Sequence, residues 1–326
     1  MNQGWTYRNQ VQPADAGLTL LAFYSQRYPH SSPQAWRDRI LQGQIQVDGR
    51  SRPPEWRLQP GQRLAYHRPP WVEPTVPLGF TLLYSDDDVW VVDKPAGLPV
   101  LPGGGFVEHT LLHQLRLRYP QTTPVPIHRL GRGTSGLVLL GRSPLAKRVL
   151  SQQMRASTAG QPSTLGKTYR ALIGPSDLSD RFTLTTPIGK RPHPTLGYVY
   201  AAHPQGKPAR SEGQVVERRG DRTLVAVTIP TGRPHQIRIH LAAAGYPLLG
   251  DPLYGVGGLP KRTDGGDPNP AQEDGDGRGT AAAAPLPGDG GYHLHAHRLT
   301  FAHPRTGAPL DVTAPLPPPL RACHEF

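Results

Sequence analysis

Cysteine is almost missing from this chain of 326 residues, which holds one, Cys323. No intrachain disulfide can form, and a cysteine-based zinc site is excluded. Long apolar runs are missing as well: the longest, such as Gly136 to Leu140, fall far short of the roughly 18 residues a membrane helix needs. The first residues, Met1 to Trp5, lack the charged segment and apolar stretch of a secretory leader, so the expectation is a cytoplasmic protein with no membrane partner. Aromatic residues (7%) and charged residues (18%) are sparse, whereas glycine (37) and proline (39) are plentiful. That composition describes a folded, loop-rich chain and excludes coiled coil, collagen and wholly disordered readings. Acids are outnumbered, 24 Asp and Glu against 36 Lys and Arg, for a net charge of +12 at pH 7. A polyanion is therefore the first partner to consider, with a basic but inert surface as the alternative.

The length allows one large domain with a satellite. Residues 1–75 read as a small module of two helices followed by a small sheet. Gly17 to Tyr28 carries Leu18, Leu20, Leu21, Phe23 and Tyr24 at helical spacing, and Ser32-Pro33 opens a second helix that runs to about Leu41. Asp48-Gly49 and Pro60-Gly61 supply turns between strand-like runs. A Pro-rich linker from Pro69 to Pro74 then leads into residues 76–326, where short strand-like runs outnumber helical patterns. Strands with helices in irregular order suggest an α+β domain around a large mixed sheet. Within it, residues 257–291 are rich in Gly, Pro and Ala and acidic on a basic protein. They read as a disordered insertion that carries no core.

Several segments carry chemistry-bearing motifs. In the N-terminal module, Gly43 to Gly49 (G-x-I-x-V-D-G) and Leu58 to Gln62 (L-x-P-G-Q) resemble the alpha-L RNA-binding module, with a plain packing cap as the alternative. On the RNA-binding reading Arg37, Arg39 and Arg50 contact phosphates. In the larger domain the matching segments are Val91 to Gly97, His128 to Leu137, Lys167 to Arg170, Thr231 to His240 and Leu249 to Gly255. Together they resemble the RluA-type RNA pseudouridine synthases. That resemblance implies the pseudouridine synthase fold, a mixed β-sheet flanked by helices with a cleft across its middle. It also implies action on RNA without metal or organic cofactor; structured RNA, rRNA or tRNA, is the expected partner and a monomer the expected state. The family cuts a uridine's glycosidic bond, turns the uracil and rejoins it through carbon. To reach that bond an enzyme must extrude the uridine, which calls for a basic cleft and a planar side chain against the base.

Residue by residue, Tyr169 resembles the base-stacking tyrosine, Arg238 the arginine that pairs with the catalytic aspartate, and Leu294 an apolar wall of the pocket. His128, Arg129, Arg132, Lys167, Arg233 and His235 fall in the same motifs as substrate-binding positions, the last two positioning phosphate or the preceding turn. The departure is at Gly131: the sequence reads His128-Arg-Leu-Gly-Arg132, where the family has aspartate at the fourth place. Glycine can act neither as nucleophile nor as base. Asp93, Glu108 and Asp251 sit in motifs with structural roles and offer no evident replacement, so Arg238 is expected to be an unpaired cation in the cleft. Two readings stay open: a synthase whose carboxylate comes from elsewhere in the fold, and an RNA-binding protein that has lost the chemistry. His293, His295 and His297, at period two on a strand, raise a metal site as a further and less favoured reading, for want of acidic or cysteine ligands beside them.

Overall fold

The computed structural model describes residues 1–193, 196–261 and 286–325. They fall into two compact units, one built from 1–75 with 102–108 and 191–199, the other from 76–101, 109–190 and the rest of the chain from 200.

The first unit contains β1 (Trp5–Gln10), α1 (Leu20–Arg27), α2 (Pro33–Leu41), β2 (Ile45–Val47), β3 (Arg50–Ser51) and β4 (Arg63–Arg68). Both helices begin where a hydroxyl takes up an orphan amide. Thr19 accepts from Ala22 N at 3.1 Å and Ser32 from Ala35 N at 3.2 Å, with Pro33 at the first helical position. Asp48 and Gly49 take positive φ (50° and 77°), the geometry of a tight two-residue hairpin between β2 and β3. The sheet order is β1-β4-β2-β3, so a reading of two helices followed by a sheet omits β1. That strand shows no apolar alternation because it lies at an edge and is mostly exposed. The core of this unit is aromatic, formed by Phe23, Tyr24, Trp36 and Tyr66 with Ile40, Ile45 and Leu64.

The second unit contains β5 (Thr81–Ser85), β6 (Val89–Lys94), α3 (Leu111–Arg118), β7 (Val125–Pro126), β8 (Ser135–Gly141), α4 (Pro144–Ala159), β9 (Gly166–Ile173), β10 (Arg181–Leu184), β11 (Ile188–His193) and β12 (Gly197–Ala202) apart from their residues 191–193 and 197–199, which belong to the first unit, β13 (Ser211–Arg219), β14 (Arg222–Thr228), α5 (Gln236–Ala243), β15 (Leu294–Ala302) and β16 (Pro309–Thr313). Among the described residues ten strands form one sheet along the path β10-β13-β14-β9-β15-β8-β6-β5, with β16 beside β15 and β7 beside β8. The sheet is mixed: β8 runs parallel to β15 while β9 pairs with β15 antiparallel. Period-two alternation divides the apolar residues between two faces. One face collects Trp90, Val92, Val138, Leu140, Tyr169, Ala171 and Val225 against α3 and α5, and the other Val91, Leu137, Leu139 and Phe301 against α4. A bulge between Ala296 and Arg298 reverses the alternation of β15, so Leu294 and Ala296 serve the first core while Leu299 and Phe301 serve the second.

Of the stretch 257–291, residues 262–285 lie outside the described residues. Its flanks are held by the fold, contrary to the sequence reading. Lys261 Nζ donates to Asp251 O at 2.9 Å, and Pro287 and Gly288 accept through their carbonyls from Arg238 and Arg132. Among the described residues no helix is long and apolar enough to cross a membrane.

The crossing of β8 and β15 rests on Gly136, whose φ is +105° and whose absent Cβ would lie 2.6 Å from Ala296 N and closer still to the Ala296 carbonyl oxygen. Gly136→Ala should therefore destabilise this unit by about 3 kcal/mol, the combined cost of overpacking and an unfavourable backbone angle. The urea midpoint checks this, and an unchanged midpoint would show that the strands can part without penalty.

Candidate active site

The middle of the first sheet face is where the motifs meet. The loop 128–134 enters between β7 and β8, Tyr169 rises from β9, Ile237 and Arg238 come from α5, Tyr292 lies two residues before β15 and Leu294 opens that strand. Leu130, Tyr169, Ile237, Leu241, Tyr292 and Leu294 form part of one buried cluster. Tyr169 is 8% exposed, and burial pushes its phenol up to about 12, so it stays neutral at physiological pH and presents a flat apolar ring. A cleft of about 590 Å³, large enough for a nucleotide, borders Phe80, Asp93, Gly133, Tyr292 and Leu294, whereas Tyr169 and Arg238 do not line it. A base stacked on Tyr169 therefore requires side chains of the cluster to move.

Arg238 is not the unpaired cation that the sequence suggests. It is 2% exposed and makes a bidentate pair with Asp251, Nε to Oδ2 at 2.7 Å and Nη2 to Oδ1 at 2.8 Å. Its remaining corner, Nη1, donates to Pro287 O at 2.9 Å. Burial by itself would push the Asp251 carboxyl up and the guanidinium down, yet their mutual hydrogen bonds and charge win, lowering the first and raising the second. Asp251 Oδ1 also accepts from Leu253 N and Tyr254 N, so both its oxygens are taken. The Asp-Pro turn after Gly250 brings this carboxylate under α5, thirteen residues from its partner, which spacing alone does not reveal.

Gly131 lies at the exposed edge of this cluster with an ordinary backbone conformation. A Cβ there would meet Tyr292 Oη at 3.3 Å and Thr134 Oγ1 at 3.4 Å. Gly133, two residues on, is buried, and a Cβ would press to 3.0 Å on Tyr292 Cε1 and Cζ and on the Gly290 backbone. The two glycines thus leave the room that the Tyr292 ring fills. Tyr292 is fixed by Thr134, oxygen to oxygen at 3.1 Å, and by the Arg238 guanidinium 4.2 Å from its ring centroid. Tyr292 belongs to none of the motifs read from the sequence. The one available signal was glycine at 133 as well as 131.

The remaining sequence-selected residues divide. Arg129 is exposed beside the loop. Arg132 is tied to residues 288–289, donating from Nε to Gly288 O at 2.8 Å and pairing with Asp289 at 3.0 Å. Lys167 lies on the Tyr169 face of β9, with its ammonium near Gly232 and its pKa pushed down by burial to about 8. His128 is not free to meet a substrate: its Nε2 accepts from Leu139 N at 3.0 Å, and burial, then Lys167, push its pKa down to about 4. His235 and Arg233 shape the entry to α5. His235 sits at φ +55° with Nδ1 2.7 Å from Tyr254 Oη, and Arg233 Nε donates to Pro208 O at 3.0 Å. Of the alternating histidines, His295 Nδ1 meets Ser135 Oγ at 2.9 Å and His297 Nδ1 donates to Ala314 O at 2.8 Å. Among the described residues no group of three His, Cys, Asp or Glu is arranged to hold a metal.

Two stability effects follow. Asp251→Ala leaves the guanidinium of Arg238 buried without its partner and should cost about 3–5 kcal/mol, read as a shifted denaturation midpoint. Burial holds His128 and His235 neutral in the fold, with pKa values of about 4 and 3, while the unfolded chain takes up protons near pH 6.5. Stability is therefore full above pH 6.5 and falls as pH drops towards 4, before the carboxylates titrate. A melting temperature that is flat from pH 7 to pH 4.5 would contradict this.

Known proteins resemble this chain over most of its length. A family model described as RNA pseudouridylate synthase matches residues 88–243. An uncharacterized RNA pseudouridine synthase of Synechocystis sp. is 52% identical over 92% of this chain and 95% of its own length. RNA pseudouridine synthase 5 of Oryza sativa subsp. japonica is 42% identical over 99% and 90%. Among solved structures, the human RNA Pseudouridylate Synthase Domain Containing 1 superposes with a TM-score of 0.53 at 25% identity, covering 77% of this chain and 90% of that one. With this similarity running through nearly its whole length, the chain belongs to the RNA pseudouridine synthase family.

Proposed function

We propose that this protein binds structured RNA, rRNA or tRNA, as a monomer in the cytoplasm and isomerises one uridine in it to pseudouridine. The observation that carries the reading is the convergence of Tyr169, Leu294, Arg238 and the 128–134 loop, from four distant segments, on one face of the sheet. In this reading the uridine is extruded and its base lies against Tyr169 and Leu294. The exposed Arg129 draws in the backbone, and Lys167, buried on the Tyr169 face with its pKa pushed down to about 8, awaits the extruded nucleoside. Arg238 acts from behind, fixing the α5 turn and the ring of Tyr292 instead of meeting the RNA. Purified protein incubated with a candidate transcript should produce pseudouridine detectable by nucleoside mass spectrometry, and Tyr169→Leu, which removes the flat ring, or Arg238→Ala should abolish it. No pseudouridine in any cellular RNA, with binding retained, would favour a second reading, an RNA-binding protein without chemistry. Gly131 is the observation behind that alternative, because it leaves no side chain where the family's aspartate acts and Asp251 is fully engaged.

We infer further that the N-terminal unit adds affinity through an alpha-L-like surface. Arg50 is exposed on β3, while Arg37 is paired with Glu55 at 3.0 Å and Arg39 lies 4.4 Å from the Trp36 ring centroid, so the three arginines are not equivalent. Arg50→Ala should weaken RNA binding and reduce the slope of log K against log salt by about 1, as expected for one lost phosphate contact. An unchanged slope leaves the unit a packing cap.

A further inference from the structure

We propose that Tyr292 is the nucleophile of this site, taking the part that glycine at 131 cannot. The inference rests on the synthase reading above and names the atom through which it proceeds. Three observations point to it. The Tyr292 hydroxyl lies 3.3 Å from the place of a Gly131 Cβ, within the reach of a side chain on residue 131. Gly133 removes the Cβ that would otherwise collide with the ring at 3.0 Å, so the loop is cut to fit a tyrosine at 292. Tyr292 also belongs both to the buried cluster of Tyr169 and Leu294 and to the wall of the cleft, which puts it between the base-stacking ring and the entry route.

The surroundings suit a phenol oxygen that gains negative charge. Thr134 Oγ1, 3.1 Å away, holds the hydroxyl in one orientation, and the guanidinium of Arg238 lies 4.2 Å from the ring centroid. Tyrosine is an established kind of nucleophile at the anomeric carbon in sialidases, so the chemistry has a physical precedent. The Tyr292 oxygen attacks C1′ of the extruded uridine as the C1′–N1 bond breaks, its electron pair leaving with the uracil, which takes the phenol proton. The ribose is then held as an aryl glycoside on Tyr292 while the uracil turns against Tyr169. C5 of the uracil attacks C1′, the C1′–O bond returns its electron pair to the phenol oxygen, and the C5 proton moves to that oxygen. The product is pseudouridine with a protonated N1, and Tyr292 is restored with no redox partner or metal.

A second group deserves a control. Asp289 pairs with Arg132 next to the same loop, is part exposed, and is the alternative source of a carboxylate. The test is single-turnover pseudouridine formation by the full chain on a transcript that the wild type modifies. Tyr292→Phe should keep the melting temperature and the RNA dissociation constant and lower the rate about a thousandfold or more. Thr134→Val, which only frees the hydroxyl, should lower it less, and Gly131→Asp in the Tyr292→Phe background should restore part of it, since loss of the hydroxyl relieves the contact that a Cβ at 131 would meet. A Tyr292→Phe rate within tenfold of wild type overturns the proposal, as does loss of activity in Asp289→Asn with Tyr292→Phe still active, which would move the chemistry to that carboxylate. Wild-type protein that modifies no RNA overturns the synthase reading itself, an outcome distinct from either.

Discussion

The ion pair between Arg238 and Asp251 organises the site. Both side chains are almost wholly buried, and a charge in that position is tolerable only because each oxygen and each nitrogen involved has a partner. The pair joins α5 to the turn after Gly250, the Pro287 carbonyl closes its third corner, and the ring of Tyr292 lies over the guanidinium. Tyr292 in turn occupies the room left by Gly131 and Gly133. A polar network of this kind specifies one arrangement, because any slip of one member strands another without a partner.

That network also changes the meaning of the altered motif. A glycine for aspartate, seen alone, reads as a deletion of function. Beside Tyr292 it reads as one half of an exchange, since a side chain on residue 133 would displace the ring and one on residue 131 would crowd its hydroxyl. The cation that would have been left unpaired by the missing aspartate is instead satisfied from within the fold. On the proposed function affinity and chemistry are separable: it assigns attraction of the RNA backbone to exposed basic residues such as Arg129 and Arg50, and the handling of one nucleoside to the buried cluster around Tyr169.

Much of this was legible in the chain. Ser32-Pro33 announced the start of α2 through local chemistry, and short strand-like runs outnumbering helical patterns announced the large sheet of the second unit. The motifs named Tyr169, Arg238 and Leu294 because each lies within a run of neighbours that share its segment. What escaped was of a different kind. β1 escaped because an exposed edge strand needs no apolar pattern. The order of the flanks of residues 257–291 escaped because it rests on carbonyls accepting from Arg132 and Arg238, and backbone acceptors leave no trace in composition.

The sequence by itself determined the family, the α+β class and the segments that build the site, since these depend on local propensity and on short runs of contiguous residues. Only the tertiary structure decided who partners whom: that Asp251 satisfies Arg238, that His128 serves a strand amide, and that Tyr292 stands in the space before Gly131. The reason is physical. Pairing of buried charges and filling of the space beside a glycine depend on distances between residues far apart in the chain, here 131 and 292, and no pattern along the chain encodes a distance across the fold.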